Sequence, residues 1–473
     1  MFIEAPIQAN DISSVFRGNM DFKTRTLNIN GSICSVFFIE GMVDTIALSR
    51  FVVEKLKYIK TLSDAVESGE IPFTVSKQAE NKQDVIMGIL RGQTAVIYKD
   101  EAFLFDLRKT KDRSVDQPSE ESAVKASKDC FVEELRTNTT LIRKKIVNSD
   151  LRIEQTVIGN QTNTAVAVVY IKSICSDRLV KEIKAKLKTI QNDGIITPGV
   201  IEQYLKSNIF SFFPQTVITE RPDKIAKNLL NGRCAILVDG LPIGYVLPAT
   251  VAQLMSTPED YSGNFVFASI VRLLRYFLLS VEVLLPGAYV ALTTFHYEML
   301  PSKLALSIAQ AKMGVPFPVV FEVLAMLALF EVLVEAGLHM PQSSGQAVSI
   351  VGALVVGEAA ISADLVSPAA LIIVAVSAIS SFAMPNQEFS NGLRLWRLII
   401  TILGAALGLF GVVMGAVVLL AHLASLESFG VPYLAPFAGV KKVRIKDSVI
   451  VVPDMMNKMR PDELNVKNKR RTK

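Results

Sequence analysis

Two kinds of apolar spacing divide this chain. Up to about residue 260 the apolar residues come in short runs bounded by turns; beyond it they come in long, almost uncharged stretches. Cys34-Ser-Val-Phe-Phe-Ile39 is a β-branched and aromatic run that predicts a strand, and helical spacing follows from Ser49 to Ile59. Ile89-Leu-Arg-Gly-Gln-Thr-Ala-Val-Ile97 then reads as a turn leading into a second strand. The order recurs. Val166 to Ile171 predicts a strand, Asp177 to Ile190 a basic amphipathic helix, and Leu229-Leu-Asn-Gly-Arg-Cys-Ala-Ile-Leu237 another turn and strand. LRGQTAVI aligns with LNGRCAIL without a gap. In each copy the glycine before the strand supplies a tight turn, and Asp239-Gly240 is a hairpin signal. These patterns predict two related small α/β domains, 1–108 and 131–262, joined by a polar linker at 109–130 that carries Pro118.

The second half predicts membrane helices. Leu278 to Tyr297 forms a first span, bracketed by Arg272, Arg275 and Lys303, with Pro286-Gly287 expected to kink or break it because proline removes a helix hydrogen bond. Pro301 to Met313 reads as a short interfacial amphipathic helix. A second span opens at Pro316-Phe-Pro318 and runs to Gly337. Gln346 to Ala363 is weakly hydrophobic, Ser367 to Met384 is a clean span ended by Pro385, and Leu398 to Leu423 is another. The fold class is therefore α+β plus membrane: two soluble domains, a polytopic helical transmembrane domain over 263–440, and a basic tail over 441–473.

Charge supports this division. The chain carries 50 Lys and Arg against 45 acids, a net charge of +5, with a mean hydropathy of +0.37. Only Lys303, Lys312, Arg394 and Arg397 are basic between Phe277 and Val440, whereas basic residues crowd the tail. Basic segments stay on the cytoplasmic side. The opening segment has no basic region followed by an apolar core, so it is not read as a signal peptide and the soluble domains are expected in the cytoplasm with the tail. That arrangement needs an even number of crossings, yet five apolar segments are visible. Either Gln346–Ala363 is re-entrant or the first segment does not cross cleanly.

Candidate functional residues follow from cost. Glu282, Glu322, Glu331 and Glu335 lie in apolar helices, where an unpaired charge costs several kcal/mol, so they are either buried among helices or beside water, with a place at the membrane interface the alternative for Glu335 and Glu331. Small residues at Gly345, Ser349, Ala353 and Gly357 recur every fourth position, as do Gly404/Gly408 and Gly411/Gly415, a spacing that lets helix backbones approach closely. Ser349, Val355, Val356 and Glu358 are candidate pore-lining residues, Val355 and Val356 as a constriction and Glu358 as a cation-attracting carboxylate. Simple close packing is the alternative for this segment.

No enzymatic motif is present: there is no Walker loop, GxGxxG, GxSxG or HExxH, and all three histidines fall in the membrane half. No catalytic, cofactor or metal site is expected. Basic residues sit in the tail and on amphipathic helices, so no nucleic-acid partner is expected either. Cys34, Cys130, Cys175 and Cys234 are far apart in sequence and read as reduced, packed thiols.

At Phe131-Val-Glu-Glu-Leu-Arg-Thr-Asn-Thr-Thr-Leu-Ile-Arg143, Phe213-Pro-Gln-Thr-Val-Ile-Thr-Glu-Arg-Pro-Asp223 and Gly232-Arg-Cys-Ala-Ile-Leu-Val-Asp-Gly240 the chain resembles the A subunit of GerA-type spore germinant receptors. The resemblance continues through Glu259-Asp-Tyr261, Pro316-Phe-Pro318, Gly345 to Leu354, Ser367-Pro368 and Ser428-Phe-Gly-Val-Pro-Tyr-Leu-Ala-Pro436. The segment Val124 to Cys130 departs from the usual Gly-rich step with Arg. The resemblance implies a non-enzymatic subunit of a spore's inner membrane. It would assemble with a permease-like B subunit and a lipoprotein C subunit, and oligomerise into a ligand-gated ion channel that transduces the germination signal. A stage V sporulation paralogue is the alternative within the family. A secondary transporter is the alternative outside it, although no inverted hydropathy repeat is visible.

Overall fold

The computed structural model describes residues 7–438 and 447–471, apart from 30, 57–61, 63–74, 100, 110–120, 122–124, 126, 340–356 and 454. It divides into two compact units. One comprises Met1–Ser207, Gln215–Pro248 and Asp454–Lys473; the other comprises Asn208–Pro214 and Ala249–Pro453.

The first unit holds two five-stranded sheets of one topology. Strands β1 (Phe22–Ile29), β2 (Ser32–Ile39), β3 (Val75–Gln78), β4 (Thr94–Tyr98) and β5 (Glu101–Phe105) lie in the order β1-β2-β4-β5-β3. Strands β6 (Leu151–Ile158), β7 (Thr164–Ile171), β8 (Val217–Thr219), β9 (Cys234–Val238) and β10 (Gly244–Leu247) repeat it as β6-β7-β9-β10-β8. All of these pairings are antiparallel, and those between consecutive strands, such as β9 and β10 around Asp239-Gly240, are hairpins that turn the chain straight back. Each domain is thus an antiparallel α+β sheet. The middle strands, β4 (TAVIY) and β9 (CAILV), are buried along their whole length, as unbroken apolar runs require.

The aligned glycines do the same work in both copies. Helix α1 (Lys82–Leu90) ends near Gly92, with φ +86°, and helix α4 (Pro222–Asn231) ends at Gly232, with φ +99°. Between them in the chain lie α2 (Leu135–Lys145) and α3 (Asp177–Lys188). A left-handed residue after a helix closes its carbonyls without a Cβ penalty, so the LRG and LNG turns lead directly into β4 and β9.

The long motifs hold the first unit together. Arg143, the last residue of FVEELRTNTTLIR, donates Nε to Asp21 Oδ2 at 2.6 Å and Nη2 to Oδ1 at 2.9 Å, with both side chains almost wholly buried. Met20 N donates to Ile153 O at 2.9 Å beside it, so the two domains share a polar seam. Arg221 of the TERPD stretch donates to the carbonyls of Glu121 and Ser127 at 2.9 Å each and pins the end of the linker. All four cysteines are buried and none is in a disulfide, and Cys175 Sγ lies 3.2 Å from Cys234 Sγ.

The tail does not end as a solvated extension. From residue 455 it packs on the second domain, with Leu464 and Val466 buried. Arg460 Nε donates to Leu230 O at 2.8 Å, Lys467 N donates to Ile174 O at 2.9 Å, and Val466 fills the space that only a glycine at 232 leaves open. The tail's basic residues serve here as donors to helix-end and loop carbonyls.

The second unit is helical: α5 (Phe265–Thr294), α6 (Ser302–Lys312), α7 (Val319–His339), α8 (Pro368–Phe382) and α9 (Gln387–Ser425). Helix α5 continues through Pro286, so of the kink or break expected there the break does not occur. Proline at 286 leaves the carbonyl of Glu282 without its helical donor, and Ser377 Oγ of α8 donates to that oxygen at 2.8 Å instead.

Helix α9 also departs from expectation. Leu398–Leu423 is not one straight span: the backbone leaves the helical region at Gly408 (φ +63°, ψ −149°) and folds back. Trp396 and His422, whose rings would lie about 39 Å apart on a straight helix, have ring centroids 5.9 Å apart. Only glycine readily takes that backbone conformation. A Cβ there would also meet His296 at 2.7 Å.

Candidate functional site in the helical unit

The helices are aligned by a few close contacts. A Cβ at Gly404 would sit 2.7 Å from Gly287 O, and Gly408 lies against Phe295 and His296, so the first arm of α9 (387–407) runs parallel to α5. Ser377 reaches Arg397, and Ser390 Oγ donates to Ser381 O at 3.2 Å, so α8 runs antiparallel to that arm. Ser367 meets Glu322 and Phe330 meets Phe382, which sets α7 parallel to α8. The second arm (409–425) also returns toward the end where the first began. Gly408, the start of α8 and the start of α7 therefore share one end, the tip; residues 387 and 425 mark the other, the base.

Between those ends a chain of polar groups runs inward from the half-exposed Glu331. Arg397 Nη2 donates to Glu331 Oε1 at 2.8 Å, and Arg394 Nη1 donates to Glu331 Oε2 at 3.2 Å. Arg397 Nη1 also donates to Ser377 Oγ at 3.3 Å, and Ser377 in turn caps the carbonyl that Pro286 frees. Arg397 is 1% exposed and Glu282, one layer away, is 0% exposed. Isolated charges at such depth are costly, so the one carboxylate held by two guanidinium groups is what makes the pair of arginines tolerable. Sequence reading singled out Glu331 but not Arg394, Arg397 or Ser377. Two arginines three apart in an apolar helix were the available signal that an acid must face them.

The other predicted acids part company. Glu322 is buried and accepts from Ser367 N at 2.9 Å and Ser367 Oγ at 2.7 Å, at the amino end of α8 where the helix dipole favours a carboxylate. Glu335 is exposed and lines a cleft with Glu331, Gln387, Asn391 and Arg394. Glu358 is exposed on a short helical stretch, and Gly357 beside it packs against Leu371. Gly345, Ser349, Ala353, Val355 and Val356 lie outside the described residues. Gly404 is a close-packing position as expected, whereas Gly408 makes the turn of the hairpin. Gly411 and Gly415 line the seam between the two arms, against Leu403 and Ile400.

At the start of α5, Asp260 gathers charge. Arg272 Nη2 and Arg275 Nη1 donate to its Oδ2 at 2.7 Å and 3.0 Å, and Thr257 N donates at 3.1 Å. Burial alone would raise this carboxyl; the hydrogen bond and charge of Arg272, with Arg275 behind it, outweigh that and hold it below the usual carboxylate range. Arg272 Nη1 also donates to Asp447 O at 2.7 Å, which ties the end of the helical segment to its beginning.

Among the described residues, one helical stretch, Gln387–Ser425 with its two arms taken together, is long and apolar enough to cross a membrane, its most apolar 18 residues having a mean hydropathy of 2.5; Pro368–Phe382 is a shorter apolar helix. Comparison with known proteins places the chain. A family model described as the Bacillus/Clostridium GerA spore germination protein matches residues 10–463. Spore germination protein KA of Bacillus subtilis (strain 168) is 38% identical over 443 residues, covering 92% of this chain and 81% of that protein. Spore germination protein B1 of the same organism is 35% identical over 475 residues, covering 95% and 97%. The crystal structure of the N-terminal domain of the A subunit of the Bacillus megaterium spore germinant receptor GerK3 is 29% identical, covers 50% of this chain and 91% of that one, and gives a TM-score of 0.40. The chain belongs to the GerA family of spore germination proteins.

Proposed function

We propose that this chain is a multi-pass, non-enzymatic subunit of a nutrient-germinant receptor in the spore membrane, and that copies of it assemble into a ligand-gated ion channel. The observation that carries the reading is the direction of the helices. Helix α5 runs from base to tip, α7 from tip to base, α8 from tip to base, and the arms of α9 go up and return. The described ends of the intervening stretch, His339 and Gly357, lie toward base and tip respectively. Counted as crossings, α5, α7, α8 and the two arms of α9 make five among the described residues, so the even number that cytoplasmic domains and a cytoplasmic C-terminus require calls for one more between His339 and Gly357. The first arm of α9 is about 31 Å long at 1.5 Å per residue, close to the roughly 30 Å of a bilayer's hydrocarbon core.

In this reading the 346–363 segment lines the conduction path, with Val355 and Val356 as the constriction and Glu358 attracting cations. Glu358 faces outward from a single chain, where a neighbouring copy could enclose it beside water. A permease-like B subunit would supply nutrient recognition, and a lipoprotein C subunit would complete the receptor. The test is ion release from spores whose subunit abundance is verified. Val356→Ala is expected to leak ions without nutrient, and Glu358→Gln to change flux or ion selectivity. Wild-type behaviour of both variants at normal abundance would remove this segment from the pore.

A further inference from the structure

One apolar feature is not absorbed by the bundle. Asn208-Ile-Phe-Ser-Phe-Phe-Pro214 interrupts the first unit in sequence but belongs to the helical one. Phe213 is 0% exposed; its ring lies 5.6 Å from Phe389 and 6.0 Å from His422, and it presses on Gly392, where a Cβ would come within 2.9 Å. Ser211 Oγ lies 3.1 Å from His422 Nε2 and fixes the loop further. The anchor points, Phe389 and His422, both stand at the base of the α9 hairpin. The remaining apolar side chains turn outward: Ile209 is 65% exposed, Phe210 92% and Phe212 55%. A loop without a charged residue that holds three large apolar groups in water, while spending a fourth to fix its position, is costly unless something covers it.

We infer that this loop is a lipid-interface anchor, with Ile209, Phe210 and Phe212 inserted at the boundary of headgroups and acyl chains. The inference rests on the membrane reading of the helices. Two observations select lipid as the occupant. The second arm of α9 exposes Phe410, Val413, Val417 and Leu420 at helical spacing, a stripe that faces acyl chains in that reading and ends two residues before His422, where the loop is fixed. The arm lengths also set the depth: with the hairpin tip at one face of a bilayer, its base reaches the opposite interface, where amphipathic and aromatic side chains are favoured.

The test uses the full chain, with Trp396→Phe to remove its own tryptophan, reconstituted in phosphatidylglycerol–phosphatidylethanolamine vesicles with or without brominated acyl chains. Phe210→Trp reports the loop and Val417→Trp reports the hydrocarbon core. The expected result is bromine-dependent loss of emission from both, with blue-shifted emission from Phe210→Trp and little further loss on adding acrylamide. If Val417→Trp is quenched by brominated lipid and Phe210→Trp is not, the anchor is overturned while the membrane reading survives. Acrylamide access then separates a solvent-exposed loop from one covered by protein. If neither is quenched, the membrane reading falls and takes the anchor with it.

Discussion

At the scale of the residue, the charges with structural consequence are the buried, multiply bonded ones. Asp260 accepts from two arginines and a backbone amide at the start of α5, and its carboxyl is held below its usual range. A carboxyl lowered in the folded state contributes stability that is present above its unfolded value, roughly pH 4, and is lost as pH falls through the folded value. Thermal unfolding of the detergent-solubilised chain between about pH 6 and pH 3 should therefore show an acid-side loss of stability. Asp260→Asn should be less stable than wild type at neutral pH and should lose less on acidification; a parallel acid loss in both proteins would exclude this group as its source. Asp21 and Arg143 illustrate the same chemistry without water: a bidentate pair with 3% and 1% exposure, where removing either partner would strand the other charge.

At the scale of the element, Pro286 and Ser377 form one device on two helices. Ser377→Ala would leave the Glu282 carbonyl without a donor in an apolar setting and also remove a contact of Arg397, a loss on the order of 1–3 kcal/mol. Pro286→Ala would restore the amide that proline lacks, so it should rescue much of the Ser377→Ala defect. A double-mutant cycle on detergent unfolding measures the coupling, and strict additivity would show that serine does not substitute for the missing helix bond. The elements differed in how far the sequence disclosed them. Strand β4 and strand β9, their preceding glycines and the duplicated order were legible because an unbroken β-branched run and a Gly turn are local signals. The hairpin in α9 was not, because Gly408 sits in a four-residue glycine spacing that equally describes close helix packing; only contact with His296 and the seam of Gly411 and Gly415 separates the two. The partners of Glu331 were hidden for a related reason. Arg394 and Arg397 lie sixty-odd residues on, and no local pattern links them to it.

At the scale of the whole molecule, the proposed topology makes a specific demand on sidedness. The four native cysteines are buried, and burial pushes the Cys34 thiol up to about 12, so single introduced cysteines can report without interference. Ile33→Cys and Met455→Cys, at 72% and 89% exposure in the native residues, should react with an impermeant maleimide from one side of sealed vesicles. Met299→Cys, just beyond the tip end of α5, should react only from the other. Ile33 and Met455 on opposite sides would rule out an even count.

The docked tail has a consequence in time. A ribosome delivers Gly232, Ile174 and the carbonyl of Leu230 well before it delivers Arg460, Val466 and Lys467, which bind to them. At about 5–20 residues per second, the intervening chain takes on the order of ten to forty seconds to emerge. Throughout that interval the second domain holds its sheet but lacks its last packing layer, and the missing layer arrives only after every helix of the other unit has been made. Completion of the second soluble domain is thereby timed by translation of the helices that follow it, and a chain stopped anywhere short of residue 460 would leave Gly232 and its neighbours bare.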